Sequence, residues 1–390
     1  MLKCELRPHR IERHNREPTC QPNRSLSLSS AHSRQSPMML KIVRHIAMVL
    51  PMVGIQTVGD DICFYYTDSG APAQADYATL FIIHGLIFHS GTFSRISSAA
   101  PSHGLRIICV NRREYPGTSP YSPEELKIIN EGSSSERAKF MLEQGIHLCL
   151  LVDRLVDTLS LPKGGITITG WSLGTIFAIA MMTAINDLPE DTRERLKAHV
   201  HKLIIWDPAS ICIGTNGPPG FDFSFFDTSI PPKARWATFG VWVSSYFKHE
   251  DLSLRDFNKL GNDADPTRQA TVLGMTTEEI SAAIDWTPGD KYDATLVSSS
   301  YVNIHWDSAN KALFDPACRE AWGGYDVWHI YGDANCWAVL HAVWSLEERA
   351  KGKDVNFKLL KGANHFPMWE EPERMLLLLK ECINGGQSIN

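Results

Sequence analysis

No stretch of this 390-residue chain reaches the roughly 20 consecutive apolar residues that span a bilayer. Its longest candidate, Ile46–Ile55, is about half that and is interrupted by Pro51. A membrane-spanning helix is therefore not expected. The nine cysteines include no Cys-x-x-Cys pair, which argues against a zinc site or a redox couple. An odd number without a regular framework also argues against a disulfide scaffold. Cys63, Cys109 and Cys149 lie in apolar stretches, where buried thiols are at home, and a reducing, intracellular setting fits them. Excess positive charge is missing too. The chain carries 38 Lys and Arg against 44 Asp and Glu, a net charge of −6. Residues 1–45 hold nine of the basic side chains and only Glu5, Glu12 and Glu17, so the remaining body is acidic. An acidic body is a poor partner for nucleic acid. There is no internal repeat.

What is present is an ordinary globular composition, 43% apolar and 21% charged, in a chain long enough to bury a large core without staples. The first 37 residues are rich in Arg, Ser and Pro, lack apolar periodicity and read as disordered. A mitochondrial presequence shares that bias, but the three early glutamates count against it. A third reading places the translation start at Met38, Met39 or Met52. The expected location is cytoplasmic, with mitochondrial targeting through the arm as the alternative.

From residue 53 onward, short β-rich runs alternate with helical stretches. Val53–Val58 and Ile62–Tyr66 read as antiparallel strands joined at Gly59-Asp60. Ala78–Ile83 and Leu105–Val110 are continuous apolar runs, as expected of strands buried on both faces. Further strands are expected at Ile166–Thr169, Leu203–Trp206, Val327–Tyr331 and Val355–Leu360. Between them, helices are expected at Arg137–Leu159, Leu173–Ile185, Trp337–Ala350 and Pro372–Cys382. This alternation predicts an α/β fold, a mostly parallel eight-stranded sheet with helices on both faces. The interval 208–324 breaks the rhythm. It is rich in Pro, Gly and aromatic residues, among them Phe221, Phe223, Phe225, Phe226, Trp236, Phe239 and Trp242. A structureless loop of that length is implausible in a compact domain, so a mainly helical cap is expected. The predicted organisation is a basic arm (1–45), a core (46–207 and 325–390) and a cap insertion (208–324).

Three places carry chemistry. Gly170-Trp171-Ser172-Leu173-Gly174 follows a strand and opens a helix. A sharp turn there lifts the serine hydroxyl above the sheet, and the flanking glycines permit close backbone approach. The bland alternative is an N-cap serine. A serine hydroxyl needs a base, and His365, in Gly362-Ala363-Asn364-His365-Phe366-Pro367, stands on the loop after the last strand. An oxyanion hole needs two convergent N–H donors. Leu173 directly follows the serine. Leu86, in His84-Gly85-Leu86 after the third strand, is the expected second donor, with His84 shaping the loop.

The order of a post-strand His-Gly, a Gly-x-Ser-x-Gly and a late histidine resembles the α/β-hydrolase superfamily, over about residues 53–384. Asn111-Arg112-Arg113-Glu114-Tyr115-Pro116-Gly117-Thr118-Ser119 loosely matches that family's D-x-R-G-x-G-x-S loop and reads as pocket wall. It is closest to uncharacterised fungal members that resemble accessory hydrolases of secondary metabolism. The resemblance implies a serine hydrolase or acyltransferase acting on an ester, thioester or amide of an apolar small molecule, with no metal or organic cofactor. The family's usual acid falls where this chain has Asn335, in Gly332-Asp333-Ala334-Asn335. An amide can orient an imidazole but cannot balance its charge. Asp207, in the Asp-Pro-Ala context where pancreatic-type lipases place their acid, is the favoured substitute, and Asp333 is the alternative. Two other readings stand beside the hydrolase. One is carbon–carbon bond hydrolysis or polyketide-releasing transacylation on the same triad. The other is a non-catalytic ligand-binding protein on this fold.

Overall fold

Continuous apolar runs fold into the centre of the sheet. In the computed structural model, which describes residues 51–386 except 60, 61, 219, 221 and 228, β3 (Ala78–Ile83) and β4 (Leu105–Val110) occupy the expected bounds and are almost wholly buried. The basic arm and Phe221 lie outside the described residues. Flanking strands are β1 (Met52–Val58), β2 (Ile62–Asp68), β5 (Ile166–Trp171), β6 (Val200–Trp206), β7 (Asp326–Gly332) and β8 (Asn356–Leu360). They lie in the order β1-β2-β4-β3-β5-β6-β7-β8. The sheet is mixed. β1 pairs antiparallel with β2, and β2 antiparallel with β4. From β4 through β8 the pairing is parallel. The connection between β1 and β2 is too short for the crossover that a parallel pair requires.

After β3 the chain steps outward to β4, then returns to place β5 on the other side of β3. This reversal opens a crevice beyond the carboxyl ends of β3 and β5, where ligands of open α/β sheets bind. Helix Gly174–Thr183 descends from that crevice with every residue buried. It is apolar all round because it packs on the sheet and against helices Ser134–Thr158 and Val302–Phe314. Gly145 permits one close crossing, since a Cβ there would stand 2.3 Å from the Ala180 carbonyl oxygen. A capping box between Ser133 and Glu136 starts the long helix Ser134–Thr158.

The interval between β6 and β7 is built of helices and 3-10 turns. Helices Pro232–Val243, Thr277–Ala283 and Val302–Phe314 are its longer pieces; the last packs on helix Gly174–Thr183, and Ile284 bridges to Phe88. Its aromatic rings pack mostly on one another, Phe225 stacking on Trp236 and standing edge-on to Phe239. Among the described residues, no helix is long and apolar enough to cross a membrane.

Candidate active site

Ser172 sits at φ +54°, in the left-handed region, directly after β5. Such a conformation costs a side-chain-bearing residue about 1–3 kcal/mol and persists only where the surroundings enforce it. Here the strand-to-helix turn is too tight for neighbouring side chains. A Cβ on Gly170 would stand 2.6 Å from Thr175 Cα, and one on Gly174 would stand 2.1 Å from the Ile83 carbonyl oxygen. The Ser172 N–H donates to the Trp206 carbonyl at 2.8 Å, pinning the turn to β6.

His365 is buried on the loop after β8. Its neighbour Asn364 anchors that loop, donating from Nδ2 to the Ser244 carbonyl (2.8 Å) and to Thr271 Oγ1 (3.0 Å). Trp171, beside the serine, donates its indole N–H to the His365 carbonyl at 3.2 Å, and the two rings lie 4.8 Å apart.

Asp207 ends β6 at φ +46°, fully buried. Its Oδ2 lies 3.5 Å from His365 Nδ1, longer than the hydrogen bond expected from the sequence, while Oδ1 accepts the Gly332 N–H at 3.2 Å. Burial raises the Asp207 pKa above the usual carboxylate value, opposed by His365, the Gly332 N–H and the neighbouring Asn335 amide. Asp333 is turned elsewhere and accepts the Gly362 N–H, fixing the turn that leads into the histidine loop. Asn335 is buried. Its Oδ1 accepts the Cys336 N–H (3.0 Å), and its carbonyl accepts the His249 Nε2–H (2.8 Å).

Leu86 and Leu173 both line the cavity that contains Ser172 and His365. Both residues are buried, and among the described residues neither backbone N–H has a hydrogen-bond partner. Buried unpaired N–H groups are rare in folded proteins and call for an explanation. His84 points away from the cavity's chemistry. Its Nε2 accepts the Arg112 N–H (2.9 Å), so Nδ1 carries the proton and donates to the Gly85 carbonyl (2.9 Å). Burial first, and Arg112 next, drive its pKa well below the ordinary histidine value and keep it neutral. Apart from Ser172, His365 and the thiols of Cys212 and Cys336, the cavity's lining is apolar, with Phe223, Phe225, Phe239 and Trp242 forming one wall.

From the sequence, Arg112 reads only as part of a pocket-wall loop. In the structure it is fully buried and forms a two-pronged pair with Asp293, both contacts at 2.9 Å. Burial disfavours its charge, but Asp293, Tyr292 and Tyr115 outweigh that and hold its pKa well above the ordinary value. The only signal in the sequence is an Arg pair directly after an apolar strand. In the same loop Glu114 adopts φ +73° at a position where the family's pattern has glycine, one of the departures that make the match loose.

The sequence pattern of the alpha/beta hydrolase family matches residues 80–376, and the chain belongs to that family. No curated protein matches it. Among solved structures, an esterase from Exiguobacterium antarcticum is similar at 15% identity and TM-score 0.48, covering 85% of this chain and all of its own. A laboratory-evolved variant of potato epoxide hydrolase is similar at 14% identity and TM-score 0.46, covering 86% of this chain and all of its own. A thioesterase domain from the curacin biosynthetic pathway is similar at 12% identity and TM-score 0.44, covering 84% of this chain and 99% of its own.

Proposed function

We propose that the protein is a serine hydrolase or acyltransferase that cleaves an ester, thioester or amide of an apolar small molecule through an acyl-enzyme on Ser172. One observation carries this reading. A serine on a left-handed strand-to-helix turn, a buried histidine and two unpaired N–H groups all border a single apolar cavity. Ser172 Oγ attacks the carbonyl carbon while its proton passes to His365 Nε2. The carbonyl π pair becomes the oxyanion lone pair, held by the Leu86 and Leu173 N–H groups. His365, oriented by Asp207, then protonates the leaving group, and water or another acceptor releases the acyl group by the reverse sequence. The cavity wall carries no Asp, Glu, Lys or Arg side chain, which favours a neutral, apolar acyl group. The 208–324 interval acts as the cap over that group. The loop Asn111–Ser119, by its resemblance to fungal accessory hydrolases, favours a substrate from secondary metabolism.

Intact-mass measurement during turnover of p-nitrophenyl esters of increasing chain length tests the reading. A transient acyl adduct on the Ser172 peptide is expected. Hydrolysis with no adduct on that peptide, or equal hydrolysis by Ser172→Ala, contradicts it.

A further inference from the structure

The peptide between Gly85 and Leu86 is gripped from one side. The Gly85 carbonyl accepts two hydrogen bonds, from Arg112 Nη2 and from His84 Nδ1, each at 2.9 Å. Arg112 Nε also donates to the His84 carbonyl at 3.2 Å. On the far side of Leu86, the Ile87 N–H donates to Tyr115 Oη at 2.8 Å. Tyr115 in turn donates to Asp293 Oδ2 at 2.6 Å, the carboxylate that holds Arg112. The loop is thus tied at residues 84, 85 and 87, leaving Leu86 N–H without a partner between them.

A trans peptide is planar, and its C=O and N–H point in opposite directions. Fixing the Gly85 carbonyl on the guanidinium therefore fixes the Leu86 N–H on the opposite side. Gly85 itself lies against the nucleophile, since a Cβ there would stand 2.9 Å from Ser172 Cβ. A cation on the carbonyl also draws electron density from the amide and strengthens its N–H as a donor. We propose that Arg112, held by Asp293 of the 208–324 interval, is a positioning residue that aims and polarises the Leu86 N–H for the developing oxyanion. The inference rests on the acyl-transfer reading of Ser172. It adds a dependence on Asp293: without that carboxylate the guanidinium is a buried, unpaired charge, and the oxyanion donor loses its support.

Arg112→Lys is the sharpest variant, because it keeps a cation beside Asp293 but loses the planar fork that reaches both the carboxylate and the loop carbonyls. The measurements are hydrolysis of p-nitrophenyl butyrate and inhibition by an alkyl trifluoromethyl ketone, whose serine adduct carries an oxyanion. A folded Arg112→Lys should lose about tenfold or more in kcat with KM within about twofold, and ketone affinity should fall by the same factor as kcat. A folded variant with kcat and ketone affinity unchanged overturns the inference. So does one in which KM rises while kcat holds, since that marks a role in packing alone. If Arg112→Lys does not fold, Tyr115→Phe decides by the same criteria: it frees the Ile87 N–H and removes the hydroxyl that accepts from Arg112 Nη2 (3.1 Å) and donates to Asp293, while the Arg112–Asp293 pair itself is kept, and a parallel loss of about threefold in both quantities is expected. Wild-type protein that neither binds the ketone nor reacts with a fluorophosphonate overturns the serine reading and this inference together. That outcome is distinct from a reactive wild type beside an equally reactive variant.

Discussion

Asp207 Oδ2 lies 3.5 Å from His365 Nδ1, whereas Asp333 has its carboxylate on the Gly362 N–H. Both carboxylates stand at the same edge of the sheet, yet only Asp207 faces the imidazole. Its left-handed backbone at φ +46° turns the side chain toward β7 and the histidine loop. Catalytic hydrogen bonds are often long before substrate binds and tighten in the complex. The two substitutions should therefore differ sharply. Asp207→Asn should lower kcat by about 10²–10⁴-fold, through the loss of tautomer control and imidazolium stabilisation. Asp333→Asn should cost less than about tenfold, because an amide oxygen can still accept the Gly362 N–H. Steady-state kinetics on one ester substrate decides between them, and the reverse ranking assigns the acid to Asp333.

Removing the nucleophile should leave the fold intact. Ser172→Ala should reduce kcat by several orders of magnitude, about as much as loss of the whole catalytic unit. It should not lower the melting temperature, since alanine removes only a partly exposed hydroxyl. Retention of more than about a tenth of the activity contradicts the assignment.

The aromatic wall should set acyl size. Phe239 lines the cavity and is buried against Phe225 and Trp236. Phe239→Ala should shift preference toward bulkier acyl groups while costing about 3–5 kcal/mol of stability. The ratio of kcat/KM for long and short esters measures this, and an unchanged ratio places the acyl group elsewhere in the cavity.

Acid should destabilise the protein well above the carboxylate range. Burial holds His89, His305 and His341 at a pKa of about 4, His329 at about 3, and His84 well below its ordinary value. Each is neutral in the native chain near pH 6, whereas the unfolded chain begins to protonate its histidines at about 6.5. The unfolded state therefore binds more protons, and stability falls as pH drops from about 6.5 toward 4, by up to about 1.4 kcal/mol per pH unit for each group. Asp207, raised by burial, works in the opposite sense but is a single group. The urea midpoint at pH 5.5 should lie clearly below that at pH 7.5, and equal midpoints contradict the prediction.

The sequence made some of this architecture legible because local pattern decided it. β3 and β4 are uninterrupted apolar runs and appear with the expected bounds. Ser172 is marked by glycines that the close contacts of its turn require. Helix Glu190–His199 went unrecognised because it buries Thr192, Leu196 and His199, a helical spacing carried by only one apolar residue. Arg112 and Asp293 are 181 positions apart, and neither has a local signal that names the other. The acid was open between two residues because choosing it depends on side-chain direction, which a one-dimensional pattern does not encode.

Acyl transfer at this site requires Ser172 to be an activated nucleophile. Brief exposure to an active-site-directed fluorophosphonate, followed by peptide mass mapping, tests it most directly. Prompt, stoichiometric modification of the Ser172 peptide is expected, abolished by Ser172→Ala and slowed by Asp207→Asn. A folded wild-type protein that stays unmodified, or carries the label on another serine, contradicts it.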